Sequence, residues 1–189
     1  MSNDDEDRPG LLRCGHPPNP STPRRCAAAR RLRAYDIRIA RDGSWNYRVT
    51  PISRKPLVKL FSTVLNRDKE GRFWLETPQE RGQIDVEDAP FIAVEIRATG
   101  HGISQILRFR TNLDHEIEAG ASHPMRVVTD PAGGGPRPYV LVRDRLDALI
   151  VRSVYYELVE LAVEGEGERA GAYAVWSGGV FFPLEPAEA

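Results

Sequence analysis

From Tyr35 onward the apolar positions of this chain follow two periods, and the places where the period changes mark its elements. Ile37 and Ile39 alternate with Arg38 and Ala40, Asp42-Gly43 supplies a turn, and Trp45, Tyr47 and Val49 alternate again. That pattern predicts a β-hairpin with one buried face. The spacing then lengthens. Leu57, Leu60, Phe61, Val64 and Leu65 fall on one face of a helix of about three turns, with Ser53 placed as N-cap and Pro56 in the first turn, where a missing N–H is tolerated. Strand character returns after Gly71 at Phe73 to Glu76 and breaks at Thr77-Pro78. Residues 84–87, 91–97, 104–110 and 125–129 read as further strands, joined by loops at Gly100-His101-Gly102 and across 131–136.

The second half gives a similar reading. Tyr139 to Val142 predicts a strand, and Asp144 is placed as the N-cap of a second helix. Its apolar stripe is Leu146, Leu149, Ile150, Val154, Leu158, Leu161 and Ala162, opposite Ser153, Glu157, Glu160 and Glu164. Residues 165–171 form an acidic turn, and Tyr173 to Trp176 and Val180 to Phe182 close the chain as strands. Each half thus runs strand, helix, glycine-containing turn, strand with a tryptophan, which suggests an internal repeat with Trp74 and Trp176 in comparable places. The alternative is two unrelated β-α-β segments.

The first residues follow neither period. Pro9, Pro17, Pro18, Pro20 and Pro23 punctuate a stretch poor in apolar side chains, which predicts an arm over residues 1–33 without a core of its own. Its basic cluster, Arg24, Arg25, Arg30, Arg31 and Arg33, reads as a solvated tether rather than a nucleic-acid patch. Cys14, His16 and Cys26 lack the spacing and the fourth ligand of a zinc site, so neither a metal nor a cofactor is expected. With 189 residues and 41% apolar content the remainder can bury a core, and a net charge of −1 gives no field to attract nucleic acid or anionic lipid. No run approaches the ~20 apolar residues of a membrane span, so a cytoplasmic protein without membrane partners is expected.

The motifs, taken in order, resemble one bacterial family, that of domain of unknown function 1285. The matching residues are Asp36 to Trp45, Tyr47, Pro51-Ile52, Arg54, Leu57 to Phe61, Leu65, Gly71, Trp74, Thr77-Pro78, Glu80 and Val86 to Phe91, then Thr111-Asn112, Tyr139, Leu146, Ala148, Arg152, Tyr155 to Leu158 and Ser177 to Gly179. Val49-Thr50 stands where the family usually has a Gly-Ser or Gly-Thr pair. The resemblance implies a β-rich α+β fold with repeated strand-helix-strand motifs in two small related domains, here 34–95 and 96–189, the second loosely like a pleckstrin-homology barrel. It also implies a nucleotide-type ligand at the domain interface and a role in signal transduction.

Side-chain chemistry points towards the helix starts. Arg54 and Lys55 open the first predicted helix and Arg145 the second, although cations there oppose the macrodipole by roughly 0.3 to 1 kcal/mol each. Such placement suits an anionic group held by arginine and free backbone N–H. Arg108 and Arg110 share a strand face leading into Thr111-Asn112, and Trp176-Ser177-Gly178-Gly179 permits close backbone approach. The expected ligand contacts are therefore Arg54, Lys55, Asp88, Arg108, Thr111, Asn112, Arg145, Arg152, Tyr155 and Ser177. Two other readings stand beside this one: a hydrolase using Asp85, Glu87, Asp88 and a histidine, and an interaction module with no small ligand.

Overall fold

The hairpin at the start of the pattern forms as its alternation requires. In the computed structural model, which describes residues 31–130, 133, 135–165 and 171–186, β1 (Arg31–Ile39) pairs antiparallel with β2 (Trp45–Tyr47), Ile39 opposite Trp45. Ile37, Ile39 and Trp45 are buried. Tyr47 and Val49 are exposed because β2 ends at Tyr47 and Arg48 turns the chain with φ +55°, so the alternation does not reach Val49. Most of the expected arm, with Cys14, His16 and Cys26, lies outside the described residues, as do positions 166–170 of the acidic turn and 131, 132 and 134 of the loop.

The remaining elements follow in chain order. A short β3 (Thr50–Pro51) leads to α1 (Lys55–Thr63), then come β4 (Leu65–Arg67), β5 (Phe73–Glu76) and β6 (Glu80–Val86). In the second half β7 (Phe91–Thr99), a 3-10 turn (Gly102–Ser104), β8 (Ile106–Thr111), β9 (Glu116–Glu118), β10 (Met125–Thr129), β11 (Pro136–Arg143) and β12 (Leu146–Ile150) precede α2 (Arg152–Glu160). The chain closes with β13 (Val163–Glu164), β14 (Tyr173–Ser177) and β15 (Val180–Pro183).

Two six-stranded sheets result, and their topologies are the same. The first runs β3-β2-β1-β6-β5-β4 and the second β9-β8-β7-β12-β11-β10. Each is a pair of three-stranded meanders joined by one parallel pairing, β1 with β6 and β7 with β12. The protein is therefore a β-rich α+β fold of two related halves. The repeat differs from the expected one. α1 connects the third and fourth strands of its sheet, whereas α2 follows the sixth strand of the other. Trp74 lies on β5, whose counterpart is β11, while Trp176 lies on β14 in a separate sheet of β13, β14 and β15. The two tryptophans are not equivalent: Trp74 is buried beneath Arg81, 4.1 Å from its ring centroid, and Trp176 is only half-buried.

Leu146–Ile150 is the clearest departure from the sequence expectation. It is a strand, with Leu146, Ala148 and Ile150 buried and Asp147 and Leu149 on the other face. Over five residues a period of 2 and a period of 3.6 predict many of the same apolar positions, and the turn decides between them. Asp144 and Arg145 both take positive φ, +40° and +67°, as a two-residue hairpin turn requires, so Asp144 caps no helix. The helix starts at Arg152, with Val151 as N-cap and no capping side chain. α1 also starts later than expected, with Arg54 rather than Ser53 as N-cap.

The core runs through both halves. Phe91, Phe109, Leu107, Leu146 and Leu158 are fully buried, each worth roughly 1.5 to 3 kcal/mol by the area withdrawn from water. Gly82 of β6 admits the Tyr35 ring of β1, where a Cβ would fall 2.0 Å from a ring carbon. α2 rests on β7 and β14, with the Val151 N–H donating to Ala93 O at 3.2 Å.

Candidate ligand site at the domain seam

Asn112 holds the seam between the two halves. Its Oδ1 accepts the Ile92 N–H at 3.2 Å, its own N–H donates to Ile92 O at 2.8 Å, and its Nδ2 donates to Gly43 O in the β1–β2 turn at 3.3 Å. The turn comes close because residue 43 has no side chain. A Cβ there would lie 2.5 Å from Ile92 Cγ1 and 2.7 Å from Asn112 Nδ2. Asn112 is thus a structural fastener, committed on both ends of its amide.

α1 supplies the second set of seam contacts. At its start Lys55 and Lys59, one turn apart, reach Asp114 at 2.9 and 2.7 Å, and Arg110 approaches the same carboxylate at 3.5 Å. These hydrogen bonds, from Lys59 and then Lys55, hold the Asp114 carboxyl well below the usual carboxylate range. Asp114 takes φ +63° to meet them, in a turn whose N–H donates to Thr111 O. The protein itself therefore supplies one anion to Lys55. Arg54 stays exposed and unpaired among the described residues, while Lys55, Lys59 and Arg110 share the one Asp114 carboxylate. The backbone contributes little: the Leu57 and Val58 N–H groups both bond to Arg54 O, and Pro56 has none.

At the far end of α1, Arg143 donates to Ser62 O, and the buried Ser62 Oγ donates to Lys59 O at 2.7 Å. Ser62 Oγ lies 3.4 Å from His115 Nε2, and the His115 ring meets Phe91 edge-on at 5.3 Å. Burial, then the charges of Arg143 and Lys59, push His115 below its ordinary value.

Between the β1–β2 turn and the start of α1 lies a pocket of about 180 Å³ whose walls include Gly43, Trp45, Ile52, Ser53, Lys55 and Leu113. Leu113 comes from the second half, so the pocket belongs to the seam. Trp45 is 2% exposed and stacks on Phe61, yet its indole N–H has no acceptor among the described residues. A buried donor left unmatched costs about 1 to 3 kcal/mol. The sequence pattern marks Trp45 as buried but not as a pocket wall, and for Lys59 and Asp114 it offers only the four-residue spacing of Lys55 and Lys59.

The other expected contacts are dispersed. Thr111 and Ser177 are fully buried and structural: Thr111 Oγ1 accepts the His115 N–H at 3.0 Å, and Ser177 Oγ donates to Ala119 O and accepts the Leu107 N–H. Thr111 therefore points away from Arg108 and Arg110, which face outward and pair with Glu118 and Glu95. Asp88 is bound by Arg137 and by the Tyr139 hydroxyl at 2.7 Å. Arg145 sits exposed in the β11–β12 turn, with its carbonyl accepting from Arg67. Gly178 packs its backbone against Gln105 and Ala119 instead of leaving room for a ligand. Arg152 and Tyr155 do lie together, but in a different cleft beside the start of α2, away from Arg54. Of the carboxylates considered for hydrolysis, Glu87 pairs with Arg38 and Asp88 with Arg137. Among the described residues no group of three or more histidine, cysteine or acidic side chains is arranged to hold a metal, and no helix is long and apolar enough to cross a membrane.

Two topologically matched β-sheet halves, fastened through one asparagine and one helix, define a two-domain β-rich protein with a pocket at its seam. The chain belongs to the DUF1285 family, whose N-terminal domain of unknown function matches residues 27–89 and whose C-terminal domain, described as a protein of unknown function, matches residues 90–184. A crystallised DUF1285 family protein from Silicibacter pomeroyi DSS-3 is 43% identical, with a TM-score of 0.77 over 84% of each chain. Another, from Shewanella baltica OS155, shares the fold at 23% identity and a TM-score of 0.54, over 67% of this chain and 91% of that one. No curated protein matches the chain.

Proposed function

We propose that this protein is a non-enzymatic sensory protein of the cytoplasm, which binds an anionic, nucleotide-like small molecule at the domain seam and acts in signal transduction. The observation that carries the reading is Trp45, a buried indole donor without an acceptor in the wall of a seam pocket. An oxygen of the ligand would supply the missing acceptor. Lys55 in the pocket wall, with Arg54 beside it in sequence, favours a negative charge there, because Lys55 shares the single Asp114 carboxylate with Lys59 and Arg54 has no partner among the described residues. At about 180 Å³ the pocket suits the phosphate-bearing end of such a molecule, with the remainder lying along its open mouth. A ligand touching both the β1–β2 turn and the Leu113 loop binds best when the halves are closed on each other, and that difference in affinity is what a sensor transmits.

Calorimetric titration with ATP, ADP, AMP and cyclic dinucleotides tests this. One of them should bind saturably, and Arg54→Ala and Lys55→Ala should each weaken it by about 1.5 to 3 kcal/mol, the value of a charge-assisted hydrogen bond. Arg152→Ala, remote from the seam, should leave it unchanged. Absence of binding by all four, or affinity indifferent to both seam cations, removes the reading.

A further inference from the structure

A cleft larger than the seam pocket lies within the second half. It measures about 520 Å³, against about 180 Å³ at the seam, and is bounded by the start of β11, the end of β12 and the first turns of α2. Sites for small molecules occupy roughly 300 to 1,000 Å³, so this cleft can enclose a compact ligand where the seam pocket admits only part of one. The two share no residue.

Its charge and its walls narrow the occupant. Two arginines line it, Arg137 and Arg152. Arg137 is neutralised by Asp88 and lies 3.9 Å from Asp130, and it is largely buried, with 18% of its side chain exposed. Arg152 is exposed, and among the described residues no acidic side chain pairs with it. The cleft therefore offers one uncompensated cation. Pro136 and Pro138 line one side, rigid apolar rings without an N–H to donate. The Tyr155 ring is fixed because its hydroxyl donates to Leu184 O at 2.7 Å, which also removes that hydroxyl from ligand binding. Tyr156 beside it is 56% exposed, a large aromatic surface left open to solvent.

We infer that this cleft is a second ligand site, independent of the seam, for a flat monoanion of the aromatic carboxylate class. The carboxylate is taken by the planar fork of Arg152, whose paired N–H donors match its two oxygens. The ring lies between proline and tyrosine rings, with Tyr156 closing over it through offset or edge contact. A nucleoside triphosphate would bring several negative charges to one free cation and leave most of them unmatched, so the cleft selects against it.

The probe is 2-naphthoate, with 2-naphthol as its uncharged counterpart, titrated by calorimetry into the full chain. Naphthoate should bind saturably in the millimolar range or tighter, and naphthol about tenfold more weakly. Arg152→Gln should reduce naphthoate affinity about tenfold while leaving naphthol unchanged, which separates loss of a charge contact from loss of fold. Tyr156→Ala should weaken both probes. Both side chains are exposed, so both variants should melt as the parent does. No saturable naphthoate binding, or affinity unmoved by Arg152→Gln, overturns the inference. Loss in Arg54→Ala instead would place the probe at the seam and overturn it equally. Failure of nucleotides to bind the seam bears only on the earlier proposal.

Discussion

The Asn112 Nδ2 lies 3.3 Å from the Gly43 carbonyl oxygen, so a loop of the second half grips the first hairpin turn of the other by its backbone. Gly43 has φ +77°, and a methyl group there would fall 2.5 Å from Ile92 Cγ1. Gly43→Ala should therefore cost about 2 to 4 kcal/mol, the sum of a left-handed non-glycine residue and overpacking at a fixed contact. A lowered denaturant midpoint with an unchanged slope would be the result; a loss below about 0.5 kcal/mol would mean that the turn can move away from Ile92.

Many of the strands are legible in the sequence, whereas their order and the site largely are not. Ile37, Ile39 and Trp45 alternate over a hairpin that one turn signal completes, and their burial follows directly. Leu146 to Ile150 fits both a helix and a strand period over five residues, and the deciding positive φ angles belong to Asp144 and Arg145, residues that do not demand them. The repeat lies in strand order, which no single segment encodes, and not in the helices and tryptophans. The helix dipole singles out Arg54 and Lys55 but says nothing of what faces them. The partner of Lys55, Asp114, lies 59 residues away along the chain and becomes visible only once the halves are docked.

Asp88 joins the linker between the halves to β11 through Arg137 and Tyr139. Its side chain is 11% exposed and that of Arg137 18%. Truncating one partner leaves the other charge enclosed, so Asp88→Ala should cost about 3 to 5 kcal/mol, well beyond an exposed pair such as Arg48 with Asp36. Chemical unfolding of Asp88→Ala beside Asp36→Ala makes the comparison. Equal losses would mean that water reaches Arg137.

Tyr139 gives the alkaline limit. Burial, then the hydrogen bond it donates to Asp88, raise its hydroxyl from 10.0 to about 12. The folded protein thus keeps this proton over a range in which the unfolded chain releases it. The contribution is present in full below pH 10.0 and is lost as pH rises towards about 12. Thermal unfolding followed between pH 8 and 12 should decline more shallowly in Tyr139→Phe than in the parent over that window, though from a lower starting stability because Asp88 loses a donor. Parallel curves would assign the decline to other groups.

Trp45→Phe separates packing from hydrogen bonding at the seam. In the ligand-free protein the substitution removes an unmatched buried N–H, relieving about 1 to 3 kcal/mol, and removes ring volume, costing a similar amount as cavity. The two oppose each other, so the net change should stay within about 1 kcal/mol, small for a tryptophan only 2% exposed. The seam ligand tells the rest. If the indole N–H donates to a nucleotide oxygen, Trp45→Phe should weaken that nucleotide by about 0.5 to 1.5 kcal/mol, the value of a neutral hydrogen bond, without altering naphthoate binding at the other cleft. Differential scanning calorimetry and titration on the same preparation read both quantities. A destabilisation above about 3 kcal/mol with nucleotide affinity unchanged would make Trp45 a packing residue alone and leave the seam cations without their main support.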